Sequence, residues 1–136
     1  RPVLAAQACG ADLAYIGSAF IATAEANADQ SYKDGIVAGR AGDIVYSNLF
    51  TGVHGNYLRQ SIVAAGMDPD NLPEGDLKTM NFGSGGNTKV KAWKDIWGSG
   101  QGIGPVNAVR PVAEFVAELE TQYLAARREL EAKVRL

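Results

Sequence analysis

The sequence has few residues that support thiol, imidazole or metal chemistry. It contains one cysteine and one histidine in 136 residues. A single cysteine excludes a disulfide within the chain and indicates a reducing compartment. Cys9 lies beside an apolar segment and has no activating partner nearby in sequence, so we interpret it as a small packing residue. His, Cys, Asp and Glu nowhere show the spacing of metal ligands, and we predict no metal site.

Charge of one sign and long apolar runs are also scarce. The formal net charge of −2 gives no basic field for binding nucleic acid. The most apolar stretch, residues 3–24, is interrupted by polar residues and glycines, so it predicts neither a signal peptide nor a membrane span. We therefore expect a cytoplasmic protein without nucleic-acid or membrane partners. The basic residues near the C-terminus suit the end of a helix: Arg127, Arg128, Lys133 and Arg135.

What the sequence does have is glycine, 16 residues in all, and one informative arrangement of it. In residues 10–20, an apolar run of strand length (12–16) is followed by Gly17, Ser18 and a helix, which predicts a short buried strand ending in a small-residue turn. The backbone N–H groups of Gly17 and Ser18 can approach a ligand closely, and the start of a helix adds its positive dipole end. This arrangement holds a phosphate at the C-terminal face of a parallel α/β barrel.

The remaining pattern predicts mainly helices. Ser31 and Asp34 form a capping-box pattern, and Pro111 suits the first turn of a last, strongly amphipathic helix. The predicted helices cover 2–9, a stretch from Thr23 or Ala24, 31–39, 57–65, 90–97 and a final one from 111. The helix 57–65 would carry Leu58, Ile62 and Val63 on one apolar side. The predicted strands cover 12–16 and 43–50, and the predicted loops cover 51–56, 68–86 and 98–104.

Four of these segments together resemble the nitronate monooxygenases, formerly called 2-nitropropane dioxygenases. They are residues 10–20, the Tyr32-Lys33 pair, the sequence Phe50-Thr51-Gly52 and residues 91–104, which occur in the order of that family. The most specific is the stretch from Trp97 through Ser99, Gly100 and Gln101. The resemblance extends over nearly the whole chain.

The resemblance implies an α/β fold: the C-terminal part of an FMN-binding TIM-type (β/α)8 barrel with a mostly helical inserted segment. Residues 1–42 would end the barrel and carry its phosphate loop, 43–109 would be the inserted small domain or lid, and 110–136 would be a helix packing on the barrel. It also implies two groups of FMN-binding residues. One group, at the phosphate, is Ile16, Gly17 and Ser18, and the other, closing over the flavin, is Ser99, Gly100 and Gln101.

The implied reaction is the FMN-dependent oxidation of alkyl nitronates with dioxygen to a carbonyl compound and nitrite. A full barrel needs about 250 residues. The first seven strands, the other phosphate loop and the family's catalytic histidine would therefore lie before Arg1. We expect no catalytic residue in this chain, no activity of the chain alone, and either the remainder of the barrel or a homo-oligomer as its partner.

Two alternatives stay open. One is a flavin-dependent enoyl-ACP reductase or NADH:quinone reductase of the same fold, because a fold alone does not separate these chemistries. The other is a non-catalytic assembly module that binds a partner through its amphipathic C-terminal helix.

Several further residues invite a functional interpretation that the sequence does not favour. His54 lies in a glycine-flanked loop and is interpreted as a loop side chain, although histidine is a common general base. Trp93 and Trp97 share a helix face and Tyr15 lies in the predicted strand, so we expect all three to pack. The glycines of 98–104 do not fit the dinucleotide fingerprint, and they follow a helix where that motif needs a strand.

Overall fold

The computed structural model describes residues 1–75 and 92–134. Within these residues the chain is a mixed helix and strand structure whose two strands pair in antiparallel fashion, with Ile44 opposite Leu58. The helices are α1 (Pro2–Ala8), α2 (Ser18–Ile21), α3 (Gln30–Ala38), α4 (Arg59–Ala64), α5 (Ala92–Asp95) and α6 (Val112–Val134), and the strands are β1 (Ile44–Ser47) and β2 (Gly55–Leu58). Residues 76–86 of a predicted loop, 90–91 of a predicted helix and Arg135 lie outside the described residues.

The predicted first helix is confirmed, and it ends for a local reason. Pro2 occupies its first turn, where a missing N–H costs nothing. Gly10 follows the helix with a φ of +94° and donates its N–H to the carbonyl of Gln7. Glycine adopts this left-handed conformation without a steric penalty. Cys9, expected to pack, is exposed.

The described residues do not show the buried strand that was predicted over 12–16. The segment forms no ladder with any described strand, and the side chains of Leu13 and Tyr15 are 88% and 101% exposed. A strand needs a hydrogen-bonded neighbour on at least one edge, and the described residues supply none. An apolar run of this kind therefore presents an uncovered surface.

The helix predicted to follow the Gly17-Ser18 turn is confirmed, since α2 starts at Ser18. A helix from Thr23 or Ala24 is wrong, because Thr23 instead forms a parallel bridge with Arg110. Ser31 is not the N-cap of α3. Asp29 takes that place, since its carboxylate accepts the backbone N–H of Ser31 at 2.9 Å.

The hairpin replaces parts of three predicted elements. β1 ends at Ser47, so the predicted strand 43–50 is too long. Gly55–Leu58 form β2, where we predicted the end of a loop and the first turn of a helix. That helix, α4, therefore begins at Arg59. Its predicted apolar face is also corrected: Ile62 is fully buried, but Val63 is 56% exposed. The segment 43–109, expected to be mostly helical, thus contains both strands.

Two apolar clusters form the core. The first joins α2, α3, β2 and a 3₁₀ turn through four buried side chains: Ala22, Ile36, Leu58 and Ile103. Gly39 ends α3 beside this cluster, and a Cβ there would lie 2.8 Å from both the Gly35 carbonyl oxygen and Ile103 Cδ1. The position therefore needs glycine because of close approach. The second cluster joins the loop after β1, α4 and the end of α5, through Phe50, Ile62 and Ile96.

The last helix, α6, is long, but none of its residues is fully buried, and its contacts with Phe20 and Gln7 lie in its first half. Phe20 meets Phe115 edge to face with ring centroids 4.9 Å apart, and the Tyr123 hydroxyl donates to Gln7 Oε1 at 2.8 Å. Further along the predicted stripe, Leu130 and Val134 are exposed. Across residues 1–75 and 92–134, no helix is both long and apolar enough to cross a membrane.

Adjacent residues of α4 test the corrected packing. Replacing Ile62, which is 0% exposed, with alanine deletes buried methyl groups and should lower the free energy of unfolding by about 3 kcal/mol. Val63→Ala, on the exposed side of the same helix, should change it by less than about 0.5 kcal/mol. Urea titration of both variants measures the difference, and equal losses would restore the predicted shared face.

Candidate functional site

A short turn, residues 97–100, is fixed to four different elements. Trp97 donates its backbone N–H to Ser61 Oγ of α4 at 3.1 Å, and its carbonyl accepts the N–H of Leu58 at 2.8 Å. Ser99 donates to the carbonyl of Asn56 at 3.0 Å. These bonds place the turn antiparallel to β2, so that it covers the edge of the hairpin.

The other two fixing contacts come from side chains of α3 and α2. The hydroxyl of Tyr32 donates to the carbonyl of Gly98, and the Tyr32 ring stacks on Trp97 with an interplanar angle of 10°. Ser18 Oγ accepts the N–H of Gly100 at 2.8 Å. This last bond joins the two segments, 82 residues apart, that the family resemblance implies as cofactor-binding.

The Ser18–Gly100 contact lies at a cavity of about 370 Å³. Four of the predicted site residues line this cavity. They lie just before α2, at its start and in the turn: Ile16, Gly17, Ser18 and Gly100. The opposite wall comes from α1 and α6, including Val3, Phe115, Glu118 and Leu119. The cavity is therefore mainly apolar, with polar groups at residues 17–18 on one side and at Arg110, Glu118 and Gln122 on the other.

Gly17 and Ser18 offer hydrogen-bond donors at this place. Among the described residues, no backbone carbonyl accepts the N–H of either residue. Because Ser18 Oγ accepts from Gly100, its own hydroxyl hydrogen can be donated to a ligand oxygen. A Cβ on Gly17 would meet nothing within 4 Å, and its φ of −103° suits any residue. Protein packing thus leaves open space at the backbone, as a bound anionic group requires.

Arg110 is a cavity residue that the sequence analysis missed. Its guanidinium is ion-paired with Glu118 and donates to Asn107 Oδ1 at 2.6 Å. The cation is therefore held in place and largely neutralised at the cavity wall. In sequence it stands before Pro111, where the pattern indicated only the start of a helix.

Glu25 is a second missed residue, and it fixes the wall of the same cavity. Both of its carboxylate oxygens accept the N–H of Val112, at 2.9 and 3.1 Å, and so cap the positive end of α6. The backbone around it is tied to the same place, since Ala24 donates to the carbonyl of Arg110 at 3.0 Å. No local signal reveals this cap, because the partners are 87 residues apart.

The other predicted residues lie elsewhere. Ser99 is buried and donates its backbone N–H to the carbonyl of Asn56, whereas Gln101 is exposed. Neither residue lines the cavity. His54 is exposed on the hairpin, where it stacks on Tyr46 with centroids 4.7 Å apart. Tyr15 does border the cavity, but its side chain is fully exposed and does not pack as predicted. In the two described ranges, no group of three or more His, Cys, Asp or Glu side chains could hold a metal ion.

These residues fit one end of FMN. The donors at 17 and 18 suit phosphate oxygens, and the apolar wall of Val3, Ile16 and Phe115 suits the face of a flat ring. Glu118 lies in the same wall, but its charge is opposed by Arg110. Whether the six predicted residues bind a cofactor stays a prediction.

Comparison with known proteins supports the fold and not a named family. No protein-family model and no curated protein matches the chain. Among solved structures, the chain is similar to FabK (M276A mutant) from Thermotoga maritima, with a TM-score of 0.67 and 18% identity. The match covers 97% of this chain and 41% of that one. The chain therefore has the fold of about two fifths of a FabK chain.

Titration of Tyr32 tests the geometry of the turn. Burial raises the pKa of the Tyr32 phenol above its usual value. Because the folded pKa is the higher one, the neutral phenol stabilises the fold below the unfolded pKa, and this stabilisation is lost as pH rises through the folded pKa. In an ultraviolet titration, the Tyr32 phenol should deprotonate above the usual pH range of tyrosine, and Tyr32→Phe should remove this high-pH step. If Tyr32→Phe instead removes a step in the usual range, the burial of Tyr32 is contradicted.

Proposed function

We propose that this chain supplies the phosphate-binding end and part of the wall of an FMN site in a flavin-dependent oxidoreductase. The observation that carries the proposal is the hydrogen bond from the Gly100 N–H to Ser18 Oγ, which brings both predicted cofactor segments to one cavity beside unbonded amides. Ser18 then contributes its hydroxyl hydrogen, and Gly17 contributes an accessible amide. Arg110 lines the same cavity, where Glu118 and Asn107 hold its guanidinium in place.

We further propose that residues 12–16 form a strand of a barrel whose neighbouring strands are not within this chain. Two observations support this. Leu13 and Tyr15 are large apolar side chains left 88% and 101% exposed, an arrangement that adjoining strands would cover. The chain also spans only 41% of the FabK chain that it resembles in fold. On this proposal the catalytic base comes from that remainder.

The reaction we propose is oxidation of an alkyl nitronate with dioxygen to a carbonyl compound and nitrite, for which bound FMN supplies the redox chemistry. The sequence resemblance to nitronate monooxygenases supports this choice. The role of the residues in this chain is to hold the phosphate at 17–18, to fix the wall through the 97–100 turn, and to exclude water along the apolar side of the cavity.

The second candidate reaction is enoyl-ACP reduction. The fold likeness to FabK, at 18% identity, supports the fold that both candidates share and does not decide between the two reactions. The two reactions consume different co-substrates, since enoyl reduction uses a reduced nicotinamide as reductant and nitronate oxidation uses dioxygen as oxidant.

Two glycines provide a matched test of flavin binding. A Cβ at Gly17 or at Gly42 would meet nothing within 4 Å, and neither has a positive φ, so leucine should be tolerated at both. Only Gly17 lines the cavity. In the complete protein, Gly17→Leu should weaken FMN binding by at least about tenfold, or ~1.4 kcal/mol, while Gly42→Leu should leave it unchanged.

Absorbance titration with FMN measures this effect, and thermal melting confirms that both variants fold. Equal FMN affinity in the two variants would refute the phosphate site. A folded complete protein with no FMN affinity would instead favour the assembly module.

An assay of the complete protein separates the two reactions. With an alkyl nitronate and air, we expect nitrite to form in proportion to the nitronate consumed, and we expect slow oxidation of NADH alone. Rapid NADH oxidation without nitrite would exclude our first choice and favour the reductase.

A further inference from the structure

A second cavity, of about 310 Å³, lies on the other side of the 97–100 turn. Gly98 lines this cavity and Gly100 lines the first one, so the turn separates the two spaces. Four aromatic rings and one aliphatic side chain make up most of its wall. The described lining residues are Tyr32, Phe50, Thr51, Tyr57, Ile96, Trp97 and Gly98.

The rings around this aromatic cavity are held in two pairs. Tyr32 and Trp97 stack with centroids 5.1 Å apart, and Phe50 and Tyr57 meet edge to face at 4.9 Å. Each pair is anchored: the Tyr32 hydroxyl bonds to Gly98, and Phe50 is 4% exposed in the second core cluster. The cavity is thus a pre-formed space with rigid flat walls.

The polar groups of the wall leave one donor available. The Tyr32 hydroxyl is used by Gly98, and Thr51 Oγ1 donates to the carbonyl of Val53 at 2.8 Å. Tyr57 reaches only Thr51 Oγ1, at 3.4 Å, which is long for a bond between two hydroxyls. The Tyr57 hydroxyl can therefore donate to a ligand. No charged side chain among the described residues lines the cavity, and an uncompensated charge would be costly there.

We propose that the aromatic cavity binds a neutral, flat, unsaturated or ring-bearing group that carries one hydrogen-bond acceptor, with Tyr57 as the donor. This inference rests on the proposed flavin site: the bound group is the apolar part of the organic substrate. The 97–100 turn, which both cavities share, places that group next to the proposed flavin cavity. The chemistry of the wall excludes ionised groups from this part of the substrate.

Two probes with the same ring system test the charge preference in the complete protein. Calorimetry should detect binding of 2-naphthylmethanol, which is neutral and has an acceptor oxygen, and at least about tenfold weaker binding of 2-naphthoate, which is an anion. Equal affinity for both probes, or no binding of 2-naphthylmethanol, would overturn the proposal.

Variants locate the probe within the cavity. Thr51→Phe fills the space with a ring and should abolish most binding, whereas Val53→Phe, in the same loop but not in the lining, should bind as the wild type does. Tyr57→Phe keeps the ring, removes the donor and should weaken binding severalfold. Wild-type affinity in both Thr51→Phe and Tyr57→Phe would refute the assignment.

Two controls keep the result interpretable. If Thr51→Phe does not melt cooperatively, a second measurement decides. In the Trp93→Phe protein, the only indole N–H signal in the NMR spectrum is that of Trp97. A shift of this signal on adding 2-naphthylmethanol supports the site, and the absence of a shift overturns it. An FMN titration on the same sample separates the proposals, because FMN binding without 2-naphthylmethanol binding refutes only the aromatic cavity, and the converse refutes only the flavin site.

Discussion

The hydrogen bond between Ser18 and Gly100 is the constraint on which the site depends. It joins a turn after an extended segment to a turn beside the hairpin, and thereby closes one end of the cavity. The Ser18 hydroxyl accepts the Gly100 N–H at 2.8 Å and so fixes the position of this exposed end of the turn. Because this oxygen is the acceptor, its hydrogen stays available for a ligand.

The 97–100 turn makes this constraint rigid. Its backbone groups are bonded to residues of α2, α3, β2 and α4, so that no single element determines where the turn lies. A two-stranded hairpin is marginal by itself, and here the turn adds a short third segment along β2. The same contacts therefore stabilise the fold and separate the two cavities.

Electrostatics and capping hold the opposite wall. α6 carries no fully buried residue, yet its first turn is fixed by the Glu25 carboxylate and by the ion pair between Arg110 and Glu118. Such contacts orient a helix that has little apolar burial of its own. The exposed side chains of Leu13, Tyr15 and Val134 mark the apolar surface that these residues leave uncovered.

Local patterns in the sequence determined the first and last helices, the end of α3 at Gly39, and the choice of Gly17 and Ser18, because small residues and helix periodicity act over a few positions. Gly100 was chosen from the family resemblance. Tertiary structure alone decided that Tyr57 and Leu58 belong to a strand, since they pair with Val45 and Ile44 of β1. It also decided the roles of Glu25, Arg110 and Tyr32. Their partners lie far along the chain, and a long-range contact leaves no periodic trace in the sequence.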